Sequence, residues 1–255
     1  MAHRRIEETQ PDPGVSVIMP AYNAEMTLVH AVASVQAQSF TDWELILIED
    51  GSSDQTANAC TMLAQEDARI RVVYQTENTG AAVARNAGLA LARGRYVAFL
   101  DADDLWHKEK LERQISFMKE HGAVFSYTGF LRQRGHKQRR VHVPAQMTRE
   151  RLLQGNVIGC LTAIYDRAHF GDVQMPNLRL RQDFAFWLLL LTRCQNAFGL
   201  DEPLAVYRVH STSLSAGRIK AMRATWKMYR IHLGLSALRS TWYVFSHLVR
   251  RILRG

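Results

Sequence analysis

The chain has 255 residues, 47% hydrophobic and 22% charged, a balance that excludes wholesale disorder and allows one large domain or two small ones. Its formal net charge is +8, yet residues 218–255 hold nine of the 32 Lys and Arg and no acid, leaving 23 basic against 24 acidic residues elsewhere. The tail's charges accompany an apolar stripe rather than a base-stacking platform, which argues against nucleic acid as the partner.

In chain order, residues 1–14 are polar and lack the apolar run of a secretion signal. Residues 15–20 read as a buried strand stopped by Pro20, 24–38 as a helix and 43–48 as a second strand. Asp54 can cap a helix that runs to residue 67, and 69–74 is a third strand. A helix spans 80–92 and ends before Gly94, and 96–100 is a fourth strand. This alternation predicts an α/β architecture, a mainly parallel central sheet flanked by helices, with ligands at the carboxyl ends of the strands.

The pattern changes after a helix at 108–120. Segments 124–131 and 141–143 flank the basic run 132–140, which reads as a hairpin or a long solvated loop able to meet an anionic acceptor. A helix at 149–154, a strand near 161–165 and an apolar helix at 182–193 read as additions to the same sheet. Cys60, Cys160 and Cys194 are far apart and form no C-x-x-C pair, which points to a reducing cytoplasm rather than a disulfide or zinc framework. His30, His107, His121, His169, His232 and His247 show no ligand spacing.

In the tail, Ile219, Met222, Trp226, Tyr229 and Leu233 recur at steps of three and four, and Leu238, Trp242, Phe245, Val249 and Ile252 repeat the stripe. The first stripe is expected to pack on the body. The second, followed by Arg250, Arg251 and Arg254, is expected to lie on an anionic membrane surface. No stretch approaches the ~18 uninterrupted apolar residues of a spanning helix, so attachment would be peripheral.

Three acidic features fall where such a sheet presents ligands: Asp50 after strand two, the Asp101, Asp103 and Asp104 group after strand four, and Asp183 at the start of the apolar helix. Three carboxylates in four residues repel one another unless a cation or donors lie between them. A hard ion such as Mg²⁺ or Mn²⁺ suits one or two such oxygens plus substrate phosphates. Each feature also has a plainer explanation: Asp103, Asp104 or Asp183 can cap a helix, and Asp-Gly-Ser is a common turn. An ionised Asp183 can equally accept a proton from a positioned hydroxyl.

Order and spacing join these features. VSVIMPAYN (15–23), QAQSFTDWE (36–44), EDGSSD (49–54), ARNAG (84–88), GRYVAFLDADD (94–104) and YRVH (207–210) occur in sequence. Together they closely resemble the family 2 glycosyltransferases, inverting enzymes with the GT-A fold. The resemblance covers residues 15–215 and implies a nucleotide-sugar-binding half (15–104), an acceptor half (105–215) and a basic amphipathic helical tail (216–255). Position by position it implies that Pro20, Tyr22 and Asn23 line the nucleotide site and that Asp50 reads the base. A carboxylate can accept the uracil N3–H, so a UDP-sugar is the expected donor. Arg85 matches a basic residue near the donor, and Asp101 and Asp103 form the D-x-D motif of a metal-dependent enzyme, with Asp103 as metal ligand. Asp104 matches a further contact to sugar or metal. Asp183 matches the catalytic base. Tyr207, Arg208 and His210 match a segment near the diphosphate, with His210 as an auxiliary metal ligand.

Two positions depart from the family pattern: Glu49 stands where Asp is usual, and Gln182 stands where Glu usually precedes the base. The second change removes a like-charge neighbour of Asp183. The implied reaction is a single displacement that moves one sugar from a nucleotide diphosphate to a hydroxyl of a glycan or polyprenyl-linked acceptor. Relatives of this size build O-antigen and other surface polysaccharides, which places the expected work on the cytoplasmic face of the inner membrane. The competing expectation is a non-catalytic nucleotide-sugar-binding scaffold that keeps the fold.

Overall fold

A computed structural model describes residues 12–209 and 218–253. Its first half runs β1 (Val15–Ala21), α1 (Leu28–Gln36), β2 (Trp43–Asp50), α2 (Thr56–Glu66), β3 (Ile70–Gln75), α3 (Ala81–Leu91) and β4 (Tyr96–Phe99). β1 pairs in parallel with β2 and β4, and β2 with β3, so the carboxyl ends of all four strands share one edge. Every residue of β2 is buried, as expected of a parallel strand covered on both faces. Burial there extends to Glu44, which accepts hydrogen bonds from the Ser16 hydroxyl (2.6 Å) and the Arg93 amide (2.8 Å) and pairs with Arg71 and Arg93. Those donors hold its carboxyl below the usual range although burial acts to raise it. Gly88 explains the small residue in ARNAG: a Cβ there would stand 2.7 Å from the Ile18 side chain, so α3 lies directly on the sheet.

The second half runs β5 (Leu105–Trp106), α4 (Lys110–Glu120), β6 (Phe125–Arg134), β7 (Lys137–Val141), β8 (Gln146–Met147) and α5 (Arg149–Leu153). A 3-10 turn at Cys160–Thr162, β9 (Ile164–Asp166), α6 (Arg167–Phe170), α7 (Gln182–Leu190) and β10 (Ala197–Arg208) follow. These strands extend the same sheet in the order β3-β2-β1-β4-β9-β6-β10-β5. β9 runs against both its neighbours, while β6 and β10 are parallel to each other. The basic run 132–140 is not a loop: it forms the ends of β6 and β7 around a turn at Gly135, whose φ of 59° suits glycine. β10, a 12-residue strand, is an element that the sequence pattern does not announce. Its register slips on either side of Pro203, which destroys the two-residue alternation that marks a strand.

Two apolar layers sandwich the sheet. One joins Ile18, Ile48 and Phe99 to Phe184, Phe186 and Trp187 of α7; the other joins Val17, Met19 and Leu47 to Leu28 and Val32 of α1 and Leu111 of α4. The tail comprises α8 (Arg218–Lys227), a π turn (Met228–His232) and α9 (Ala237–Leu253). Packing follows the expected division in part. Tyr229 is buried in the α7 layer and Leu233 packs against it, but Trp226 is exposed while Thr225 and Met228 are buried. Thr225, Met228 and Tyr229 stand at i, i+3 and i+4, so the buried face lies one residue round the helix from the stripe through Met222 and Trp226. α9 sets Tyr243 and Val244 toward the α7 layer and leaves Leu238, Trp242, Phe245 and Val249 exposed. No described helix is long and apolar enough to cross a membrane.

Candidate active site

The carboxyl ends of β1, β2 and β4 open onto a cleft of about 1230 Å³. Pro20, Tyr22 and Asn23 form its rim beyond β1. Asn23 adopts a left-handed φ of 47°, which Asn tolerates, and its Oδ1 accepts from the Ser53 amide at 2.9 Å. Its own amide donates to the Ser52 hydroxyl at 3.0 Å, so the loops after β1 and β2 are tied together. Asp50 is buried at the cleft wall. One of its oxygens accepts from the Thr79 amide (2.9 Å) and hydroxyl (2.8 Å), the other from the Gly80 amide (2.9 Å). The carboxylate therefore shapes the 78–80 turn, which also lines the cleft. Gly51 (φ 68°) permits this approach, since a Cβ there would meet the Glu77 backbone at 2.6 Å.

Asp101 and Asp103 lie on the floor beyond β4, and Asp101 pairs with Arg85 of α3. Arg85 is only 4% exposed. Burial acts to lower its pKa, but the charge and hydrogen bond of Asp101, together with the charge of Asp183, raise it overall and keep the guanidinium protonated. Its Nε and Nη1 have no hydrogen-bond partner among the described residues, leaving donors for oxygens of a ligand. Asp104 sits elsewhere: it is 1% exposed, does not line the cleft, and accepts the Arg208 amide at 2.9 Å. Burial, then Asp101 and Asp103, push its carboxyl well above the usual range. Arg208 likewise misses the cleft, donating from Nε to the Asp103 carbonyl, while Tyr207 beside it does line the wall. Asp104 and Arg208 thus fasten the end of β10 under the D-x-D segment. His210 lies outside the described residues.

The facing wall comes from residues 177–183 and the start of α7. Asp183 is in the first turn of α7, half-buried, with its pKa raised chiefly by burial; the Phe184 amide and Arg85 oppose that rise. Arg85 is thus electrostatically linked to both Asp101 and Asp183. Arg179 and Arg181 also line this wall, and neither has an ion-pair partner among the described residues. Arg181 holds a left-handed φ of 70°, uncommon for a non-glycine residue and costly enough to need external support. The segment leading to this wall is anchored at Met175 by Asn86 of α3, whose side-chain amide donates to the Met175 carbonyl (2.9 Å) and accepts from the Met175 amide (2.7 Å). Cys160 faces the cleft too, but burial raises its thiol far above neutrality, so it is no thiolate nucleophile.

Pro20, Tyr22, Asn23, Asp50, Arg85, Asp101, Asp103 and Asp183 therefore meet in one cleft. Sequence reasoning missed the 78–80 turn, Asn86, and the Arg179 and Arg181 pair. An unpaired basic doublet just before the apolar helix was the available signal for the last. Among the described residues no cluster of three or more His, Cys, Asp or Glu is placed to hold a metal. Asp101 and Asp103 offer neighbouring hard oxygens on the cleft floor, a set that fits a divalent cation whose shell is completed by ligand phosphates.

Comparison with known proteins agrees with this geometry. The chain is 46% identical over 233 residues to TuaG of Bacillus subtilis (strain 168), named as a teichuronic acid biosynthesis glycosyltransferase, covering 90% of this chain and 92% of that one. It is 35% identical to WfgD of Escherichia coli, named UDP-Glc:alpha-D-GlcNAc-diphosphoundecaprenol beta-1,3-glucosyltransferase, over 83% of each chain. The structure of S. aureus TarS 1–349 in complex with UDP-GlcNAc superposes with a TM-score of 0.72 at 22% identity, covering 92% of this chain and 71% of that one. That likeness establishes a shared fold, the GT-A fold that the motifs imply. Residues 16–170 match the family described as Glycosyl transferase family 2, and with a cleft built from its motifs the chain belongs to the family 2 glycosyltransferases.

Proposed function

We propose that the protein transfers a single sugar, with inversion, from a UDP-sugar to a hydroxyl of a glycan carried on a polyprenyl diphosphate, in surface-polysaccharide biosynthesis. One observation carries this reading: Asp183 shares one cleft with Asp101 and Asp103, and the charged Arg85 interacts with both Asp101 and Asp183. The names of TuaG and WfgD support the product and acceptor classes, and the UDP-GlcNAc in the TarS complex supports the donor class.

In this reading the uridine lies between Tyr22 and the turn held by Asp50, and the diphosphate meets the free Arg85 nitrogens. Asp101 and Asp103 would hold a divalent cation, which when bound compensates charge on the departing diphosphate. The Asp183 carboxylate accepts the acceptor hydroxyl's proton as that oxygen bonds to the anomeric carbon and the bond to the diphosphate oxygen breaks. UDP leaves from the opposite face, so the anomeric configuration inverts. Burial raises the Asp183 pKa toward the working pH, which strengthens it as a base while leaving it ionised above that pKa. Arg179 and Arg181 supply positive charge on the acceptor wall, suited to an acceptor's diphosphate.

The exposed stripe of α9, with Arg239 beside it, supports attachment to an anionic bilayer at the cytoplasmic face of the inner membrane, within reach of such an acceptor. The deciding experiment is a screen of UDP-, GDP- and dTDP-sugars with Mg²⁺ or Mn²⁺ and a short polyprenyl-diphosphate glycan. Metal-dependent turnover of a UDP-sugar is expected. If no nucleotide sugar binds or turns over, the reading fails.

A further inference from the structure

We propose that one face of the β6–β7 hairpin binds an anionic saccharide chain and leads it toward the cleft, an inference that rests on the glycan-acceptor reading above. In the hairpin register Arg132 stands opposite Arg139 and Arg134 opposite Lys137. Opposed residues of an antiparallel pair share a face, as do residues two apart on a strand, so all four cations project from one side. All four are exposed. Directly opposed like charges are destabilising, and a purely structural hairpin would gain from a carboxylate at any of these positions. Arg132, Arg134 and Lys137 form no ion pair among the described residues. The other face is treated differently: Arg140 hydrogen-bonds the Asp201 carbonyl at 2.6 Å and pairs with its carboxylate at 3.6 Å.

The position of the charges connects them to the site. β6 runs in the same direction as β4, so the hairpin rises from the sheet edge that carries the cleft. Tyr207, a cleft residue, is the β10 neighbour of Arg132. A row therefore leads outward from the cleft through Tyr207, Arg132 and Arg139. A lipid surface is the weaker occupant. The cationic face is that of Phe130, which packs with the α1–α4 layer, whereas α9 packs against the opposite, α7 layer. One flat bilayer cannot cover both. None of the exposed large apolar side chains among the described residues lies on the hairpin, so nothing there would anchor in lipid.

Binding of hexagalacturonate to the full-length protein, with neutral maltohexaose as control, tests the proposal by calorimetry at low ionic strength. The acidic oligosaccharide is expected to bind at least about tenfold more tightly than the neutral one and to weaken steeply with salt. The variant Arg132→Gln/Arg134→Gln/Lys137→Gln/Arg139→Gln should lose about tenfold or more of that affinity. The variant Lys137→Glu/Arg139→Glu should lose it as well while raising Tm, because it converts two opposed like-charge pairs into attractive ones. Failure of the wild type to prefer the acidic oligosaccharide, or equal binding by either variant, overturns the proposal. So does loss of binding to phosphatidylglycerol vesicles in these variants, which would assign the face to lipid. The shift in Tm caused by UDP is read in the same samples and should not change. Its absence in the wild type would count against the donor reading alone, leaving the hairpin result standing.

Discussion

The two walls of the cleft are built by different means. The wall proposed to bind the donor rests on parallel strands with every ladder in register, and hydrogen bonds between its neighbouring loops hold its side chains: Asp50 to Thr79 and Gly80, Asn23 to Ser53. The acceptor wall rests on a loop with a left-handed arginine, fastened to α3 by Asn86 and continued into α7. Under the proposed function, walls anchored this separately would let acceptor choice change without disturbing nucleotide binding.

Substitutions that separate the two walls test this division, and the largest effect is expected at Asp183. Asp183→Asn should lower kcat by about 10²–10⁴-fold while UDP binding persists, measured by turnover and by calorimetry. Its stability effect has a definite sign. Because folding raises the pKa of this carboxyl, folding favours the protonated form, and that contribution is present at acid pH and lost as pH rises through the folded value. At neutral pH the ionised group opposes folding, so Asp183→Asn should raise Tm there and show no gain near pH 3. A lower Tm at neutral pH would mean that Asp183 has a stabilising partner. On the donor side, Asp101→Asn leaves the buried Arg85 without its counter-ion and should both lower Tm and weaken UDP binding by about tenfold or more. Equal UDP affinity would remove Asp101 from the donor site.

The donor wall was the more legible of the two. Buried parallel strands read as short apolar runs, and carboxylates directly after such runs fall on the ligand edge, so local pattern marks Asp50, Asp101 and Asp103 as candidates, and the order and spacing of the motifs join them into one site. Asp104 shows the limit of that reasoning. One residue beyond the motif, the chain turns the side chain under β10, and adjacency in sequence no longer means adjacency in the cleft. Asn86 escaped because its role is non-local, its side chain meeting Met175 across 89 residues. β10 escaped because Asp201, Glu202 and Pro203 interrupt its pattern at the register slips. In the tail a uniform helical period places Trp226 inside, whereas the buried face is one residue round the helix, at Thr225, Met228 and Tyr229.

Asn86→Ala sharpens the comparison at smaller magnitude. It removes both hydrogen bonds to Met175, a local loss of about 1–3 kcal/mol that falls on the acceptor loop. The expected split is a raised KM for the acceptor and a reduced kcat, with the donor KM unchanged. A rise in donor KM of the same size would show that Asn86 serves both walls.

The smallest effect on the folded body is expected in α9. Deleting residues 238–255 would also remove the His247 contact to the Tyr229 hydroxyl (2.8 Å) and the ring packing of His247 on Phe184, the neighbour of Asp183. Trp242→Ser/Phe245→Ser touches only the outward stripe, where the two residues are 63% and 56% exposed. Stability should therefore stay within about 0.5 kcal/mol and UDP binding should not change. Sedimentation with phosphatidylglycerol vesicles should fall, and turnover of a lipid-linked acceptor in vesicles should fall with it, while turnover of a detergent-solubilised acceptor persists. Unchanged sedimentation would place membrane contact elsewhere, since the inward side of α9 is already committed to Tyr229 and the α7 layer.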